Sequence, residues 1–226
     1  MMINNIRVRR KKGLIDLGFG IFGIFCTLLV VVWLNQQVLM QLALGWRMVL
    51  LVTSQWLFMI VPLLLMRINH ERIRFLMKSE VRLVNQIFTG IGLAFLMSFL
   101  FTVVPILLGF KEMVGSTSYT KVWQFAFDLI YSLFAVALAE EFVFRGYLFQ
   151  KLLEVKQSKW FAILISSLLF GLFHSFQGDV LQVIVTTFLG ILFCLLREKI
   201  KSCSLLSLVI IHGLYDALIT LWVAVL

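Results

Sequence analysis

Charged residues are scarce in this sequence. Only 14% of its 226 residues are Asp, Glu, Lys or Arg, and 62% are hydrophobic. In soluble domains, about a quarter of the residues are charged. The composition therefore excludes an ordinary soluble domain and predicts an integral membrane protein.

Cysteine is almost absent as well. The three cysteines, Cys26, Cys194 and Cys203, lie in or beside apolar runs and form no CxxC pair or other metal-ligand spacing. This excludes a disulfide framework, and we expect the three side chains to act as small apolar fillers.

The glycine pattern GFGIFG, formed by Gly18, Gly20 and Gly23, matches a dinucleotide-binding motif but lacks the strand that must precede it. The pattern lies instead inside a long apolar run. Glycines in such a run indicate close contact between membrane helices.

Seven apolar segments are long enough to cross a bilayer, where about 20 residues make one span. Because backbone groups in lipid must be hydrogen-bonded internally, all seven are predicted to be helices. The sequence thus predicts an all-α, polytopic bundle that forms a single membrane domain over residues 1–226. The segments are Leu17–Leu34, Met48–Met66, Val84–Leu108, Trp123–Gln150, Trp160–Phe176, Val180–Leu196 and Ser204–Val225.

The basic residues predict the orientation of the bundle. With a cytoplasmic N-terminus, 17 of the 20 Lys and Arg residues fall on the inner side, and only Arg47, Lys111 and Lys121 fall outside. This division follows the positive-inside rule of membrane proteins, so the net charge of +9 does not indicate nucleic acid as a partner. We expect a multi-pass protein of the cell membrane.

Residues 66–82, which are basic and mildly amphipathic, are predicted to lie along the inner headgroups, with His70 in a solvated loop. Asp16, at the inner end of the first span, is expected to pair with the nearby N-terminal basic cluster.

Three ionisable residues lie inside the fourth segment, in the stretch ALAEEFVFRGYLFQ. Each of Glu140, Glu141 and Arg145 costs about 2.5–3.5 kcal/mol at mid-membrane. A helix–helix tether, a boundary where the fourth span leaves the membrane, or a functional site would explain them. Glu141 and Arg145 are four residues apart and can form an ion pair on one helix face. On a regular α-helix, Glu140 points about 100° away from Glu141.

Two of the three histidines also lie in spans. His174 lies in the fifth segment, and His212 lies in the seventh, four residues before Asp216. At 1.5 Å per residue, Glu140, His174 and His212 lie roughly 16, 22 and 16 Å from the basic flanks of their helices. All three depths fall within a hydrocarbon core of about 30 Å, so the three side chains are predicted to converge in one buried site.

In order along the chain, EEFVFR, FGLFH and HGLYD fit the patterns E-E-x-x-x-R, F-x-x-x-H and H-x-x-x-(N/D). The region from Val122 to Leu221 therefore resembles the CAAX prenyl protease and bacteriocin-processing (Abi-like) family of intramembrane endopeptidases. Residues 1–121, the first three spans, carry no motif of that family.

The resemblance implies that Glu140 acts as general base, with His174 helping to hold the attacking water, and that His212 and residue 216 stabilise the oxyanion. Glu141 and Arg145 are implied to support the site. Asparagine is common in the family at the place of Asp216, and an ionised aspartate cannot donate to an oxyanion. Either Asp216 is protonated, or, as we favour, it accepts a hydrogen bond from His212 and orients that ring.

The family is regarded as metal-independent, so no cofactor is expected. Two histidines and a glutamate are nevertheless a possible zinc ligand set, although the chain has no H-E-x-x-H motif.

The predicted function is hydrolysis of a peptide bond in a membrane-associated or secreted peptide or a lipidated protein. The alternative is a non-catalytic immunity or scaffold protein of the same fold. A proton-coupled transporter is a third possibility, but the sequence shows no inverted repeat or pair of broken helices.

Overall fold

The computed structural model describes the backbone of residues 2–73, 79–176 and 178–226, and side chains from residue 12 onward within these ranges. All regular structure in these ranges is helical. Seven helices are long and apolar enough to span a membrane, which confirms the predicted fold class. They are α1 (Met2–Gln37), α2 (Leu44–Ile68), α3 (Leu83–Leu107), α4 (Val122–Lys156), α5 (Lys159–Phe176), α6 (Val180–Lys199) and α7 (Leu205–Val225).

The helix bounds agree with the seven predicted segments, with two extensions. Helix α1 begins at Met2 rather than near Leu17, so the basic N-terminal residues continue the helix. Helix α4 continues to Lys156, where Gln157 adopts the left-handed conformation (φ 52°) that ends it. The predicted in-plane segment, residues 66–82, includes residues 74–78, which lie outside the described residues; His70 is exposed, as expected.

The chain divides into two compact units. The first unit, Met1–Lys78 with Ala139–Lys199, contains α1, α2, the C-terminal half of α4, α5 and α6. The second unit, Ser79–Leu138 with Ile200–Leu226, contains α3, the N-terminal half of α4 and α7.

Glycines mark the close helix contacts of the first unit. A Cβ atom added to Gly20 would lie 2.8 Å from the Tyr147 ring, and one added to Gly23 would lie 2.6 Å from Val61. These two glycines therefore allow α1 to approach α4 and α2, as predicted, whereas Gly18 faces open space. The outward faces carry exposed rings such as Phe19 and Phe22, which suit a lipid environment.

In the second unit, α3 and α7 are joined by a buried polar network. Ser207 Oγ donates to the Gln86 carbonyl at 2.9 Å, and Ser204 Oγ donates to the Gln86 side chain. Gly213 of α7 lies against Leu133 of α4, where an added Cβ would be 2.6 Å from the Leu133 Cα. The N-terminal half of α4 and α7 are therefore in backbone contact.

Candidate active site

Helix α4 departs from α-helical geometry around the three ionisable residues. Two π-helical stretches, Ser132–Ala137 and Glu141–Leu148, flank the short α-helical stretch that ends at Glu140. Such i→i+5 segments are rare and are often found at functional sites. Glu140, Glu141 and Arg145 are all buried.

Glu141 and Arg145 form the predicted ion pair, with Arg145 Nη1 donating to Glu141 Oε1 at 2.8 Å. Two aromatic rings hold the same guanidinium. Its Cζ lies 4.0 Å from the ring centroid of Phe170 on α5 and 5.2 Å from that of Phe193 on α6. Nε and Nη2 of Arg145 have no hydrogen-bond partner among the described residues, so cation–π contacts supply the remaining stabilisation.

Glu140 and His174 lie together within the first unit. Glu140 Oε2 and His174 Nε2 are 3.8 Å apart. His174 Nδ1 lies 2.9 Å from the Phe170 carbonyl oxygen, which can only accept, so Nδ1 carries the proton. In the neutral ring, Nε2 then has a free lone pair that faces Glu140.

The separation of Glu140 Oε2 and His174 Nε2 is too long for a direct hydrogen bond and is suited to one bridging water. Both atoms can accept, so a water between them would donate a hydrogen bond to each. Such a water would be polarised by two bases at once, which is the arrangement needed for activation of a nucleophile.

Aromatic packing fixes the His174 ring. Phe170 and Phe173 lie edge-on to it, with centroids at 4.7 and 5.6 Å, and Phe144 of α4 contacts both phenylalanines at 5.2 and 5.3 Å. Phe170 therefore contacts both His174 and the guanidinium of Arg145. Sequence reasoning assigned no role to these rings, although FGLFH carries two of them.

His212 and Asp216 form a second imidazole–carboxylate pair, in the second unit. His212 Nε2 lies 3.3 Å from Asp216 Oδ2, as the spacing of four residues on α7 allows. His212 is buried and Asp216 is half-buried. His212 directly precedes Gly213, the residue at which α7 touches α4.

Six sequence-predicted site residues thus fall into two groups. The first unit brings together Glu140, Glu141, Arg145 and His174, and the second brings together His212 and Asp216. The union of both groups in one site stays a prediction. Within either unit, the described residues contain no cluster of three or more His, Cys, Asp or Glu side chains that could hold a metal ion.

A separate ionic cluster surrounds Lys151, five residues before the end of α4. The Lys151 ammonium is buried and forms ion pairs with Glu71, with Glu154 at 3.2 Å and with Asp16 at 3.8 Å. Asn69 also donates to Asp16, at 2.7 Å. Asp16 is predicted to pair with the N-terminal basic cluster, but the side chains of residues 7–11 lie outside the described residues. Among the described side chains, Asp16 contacts Asn69 and Lys151.

Seven apolar helices with buried ionisable residues define the class of a polytopic helical membrane protein. Residues 122–218 match the family model described as type II CAAX prenyl endopeptidase, Rce1-like. The match confirms the resemblance indicated by the three motifs, and it covers less than half of the chain. No curated protein and no solved structure matches the chain significantly.

Proteins of this family are proteolytic in general, so the match supports a membrane protease type of function. The matched region contains α4, α5, α6 and most of α7, and therefore every candidate site residue. It excludes α1, α2 and α3, as expected from the absence of motifs there.

Proposed function

We propose that this protein is an intramembrane endopeptidase in which Glu140 and His174 activate a water molecule for attack on a peptide bond. The observation that carries the proposal is the buried gap of 3.8 Å between Glu140 Oε2 and His174 Nε2. The substrate is a membrane-associated or secreted peptide or a lipidated protein. The enzyme itself is a multi-pass protein of the cell membrane. No cofactor is required.

Glu140 acts as general base. The bridging water gives its proton to the Glu140 carboxylate as its oxygen attacks the substrate carbonyl, and the protonated Glu140 then returns the proton to the leaving amine. His174 orients the water through Nε2, because its Nδ1 proton is committed to the Phe170 carbonyl. Arg145 is committed to Glu141 and adds positive potential beside the reacting carboxylate.

His212 stabilises the oxyanion that forms on the substrate carbonyl. His212 Nε2 lies 3.3 Å from Asp216 Oδ2, so the carboxylate can accept a hydrogen bond from the ring. Asp216 therefore acts as an acceptor that orients the ring. This role requires α7 to place His212 opposite Glu140.

The decisive experiment replaces the general base. Purified wild type, Glu140→Gln, Glu140→Ala and the control Glu112→Gln, whose side chain is exposed, are incubated with a prenylated CAAX peptide and with the membrane-peptide pool of the host. We expect both Glu140 variants to fold and to lose cleavage by about 10²–10⁴-fold. Full biological activity in a well-folded Glu140→Ala variant would instead identify a binding function, such as an immunity or scaffold protein.

Two further measurements test the accessory roles. Asp216→Asn is expected to lower cleavage by about tenfold, because a neutral amide accepts a hydrogen bond from the His212 ring less strongly than a carboxylate does. Full retention would show that no anionic acceptor is needed. Strong chelation is expected to leave wild-type cleavage unchanged, and a loss that zinc restores would show that His174, His212 and Glu140 hold a metal.

A further inference from the structure

The π-helical stretch of α4 ends with an irregular hydrogen bond. The Phe149 N–H donates to the carbonyl oxygens of Phe144 and Gly146. In a regular α-helix, this N–H would bind the carbonyl four residues earlier, which is that of Arg145. The return from π to α geometry therefore deprives the Arg145 carbonyl of its usual α-helical donor.

Arg197 of α6 supplies a donor at this place. Its Nη1 donates to the Arg145 carbonyl oxygen at 2.7 Å. Buried carbonyl groups need a hydrogen-bond partner, and a guanidinium donor forms a stronger bond than a neutral one. Arg197 thus stabilises the carbonyl that the π-to-α transition leaves available.

Helix α6 contacts the same residue a second time. Phe193 lies one turn before Arg197, and its ring centroid is 5.2 Å from Cζ of Arg145. One face of α6 therefore holds both the backbone and the side chain of Arg145, the residue that is paired with Glu141. No motif singled out α6, and neither of these two residues has a role in the activation of water proposed above.

We propose that Arg197 is a positioning residue, which fixes the register of the π-helical stretch and thereby the direction of Glu140. The end of α4 is anchored by the Lys151 ion pairs. If the π-helical stretch relaxed to α-helical geometry, Glu140 would rotate relative to this anchored end. Each residue of register change would turn it by up to about 100°. The effect on catalysis rests on the proposed function, but the effect on register does not.

Three variants isolate this contact. Arg197→Met keeps most of the side-chain length and loses the donor, Arg197→Lys keeps a cationic donor, and Lys199→Met removes an exposed cation from the same helical turn as a control for topology. All three are reconstituted in lipid nanodiscs. Cleavage of a fluorescence-quenched prenylated CAAX peptide is then measured over a range of concentrations.

We expect Arg197→Met to lower kcat at least tenfold with KM changed less than twofold, Arg197→Lys to recover a large part of the loss, and Lys199→Met to match wild type. A purely structural contact would lower the folded fraction without rescue by lysine. Wild-type kcat in a folded Arg197→Met variant would overturn the proposal.

A second readout needs no activity. Dicyclohexylcarbodiimide modifies buried carboxyl groups, and mass spectrometry resolves the labelling rates of Glu140 and Glu141 as a function of pH. We expect the Glu140 profile to shift in Arg197→Met and to stay unchanged in Lys199→Met. If wild type cuts no peptide, the proposed function fails, but the labelling still tests the positioning role of Arg197. Identical Glu140 labelling profiles in Arg197→Met and wild type would reject that role.

Discussion

Arg145 and Lys151 are two buried cations on the same half of α4, six residues apart, and their surroundings differ. Lys151 meets three carboxylates from three segments of the first unit, and those of Glu71 and Glu154 are 34% and 41% exposed. Arg145 meets the fully buried carboxylate of Glu141 and two aromatic rings.

We interpret the Lys151 cluster as a structural tether and the surroundings of Arg145 as part of the proposed site. Around Lys151 the negative charges outnumber the positive one, and water reaches part of them, so the cluster is suited to joining α1, α2 and α4. Around Arg145 the charges are enclosed by aromatic rings, where the effective dielectric constant is low and electrostatic interactions are strong. Glu140 lies directly beside this second centre, which is why we place the chemistry there.

The largest expected effect comes from breaking the Arg145 pair. Arg145→Met leaves the Glu141 carboxylate buried without its cation, and we expect the free energy of unfolding to fall by about 3–5 kcal/mol. The double variant Glu141→Leu with Arg145→Met removes both charges and should recover most of that loss while staying inactive. Steric trapping in bilayers measures the free energy of unfolding of the single and the double variant. A double variant as unstable as the single one would show that the pair itself is not the source of the effect.

A smaller effect is expected at the tether. Lys151→Met should lower the free energy of unfolding by about 1–3 kcal/mol, because the released carboxylates can be hydrated from an adjoining cavity of about 380 Å³. Cleavage by the folded fraction should stay within twofold of wild type. The exposed Lys12 provides the control variant, Lys12→Met, with no expected change. A tenfold loss of kcat in Lys151→Met would contradict the assignment of this cluster as a tether.

The smallest effect is expected at the hydrogen bond that Tyr119, in the loop before α4, donates to the Asp128 carboxylate at 2.5 Å. Burial and then this hydrogen bond raise the pKa of Tyr119 to about 12 from 10.0. A tyrosine whose folded-state pKa is raised stabilises the fold below pH 10, and this contribution is lost as the pH rises from 10 to 12. Tyr119→Phe should therefore cost about 1 kcal/mol at neutral pH.

Stability measured from pH 7 to 11.5 checks the sign of this effect. The difference between wild type and Tyr119→Phe should shrink above pH 10, whereas both proteins should respond alike below it. A constant difference across the whole range would mean that the Tyr119 proton does not stabilise the fold.

The sequence predicted the seven spans because twenty apolar residues are a local signal that lipid makes nearly obligatory. It also predicted the Glu141–Arg145 pair, since a spacing of four residues brings two side chains together in most helical geometries. Both predictions depend only on neighbours along the chain. The family resemblance likewise followed from three short motifs.

Contacts between distant residues could not be predicted in this way. Asp16 and Lys151 are separated by 135 positions, and nothing in either local sequence selects the other as its partner. The π-helical stretches leave hydropathy unchanged, because an i→i+5 bond uses the same residue types as an i→i+4 bond. Arg197 contacts the backbone carbonyl of Arg145, a group that every residue has, so the partner's residue type gives no indication of this contact.

The widened stretch at Glu141–Leu148 accommodates one residue more than ordinary helical geometry would for the same rotation. Removing a single amino acid there would let the coil tighten into ordinary geometry with every backbone bond intact and no polar group added to the lipid. The shortened chain would still insert and would still look correct on a hydropathy plot. Because a π turn holds about one residue more than an α turn, the two ends of the shortened helix would stay nearly in phase, whereas tightening at full length would rotate Glu140 away from the imidazole of the neighbouring helix by about 100°.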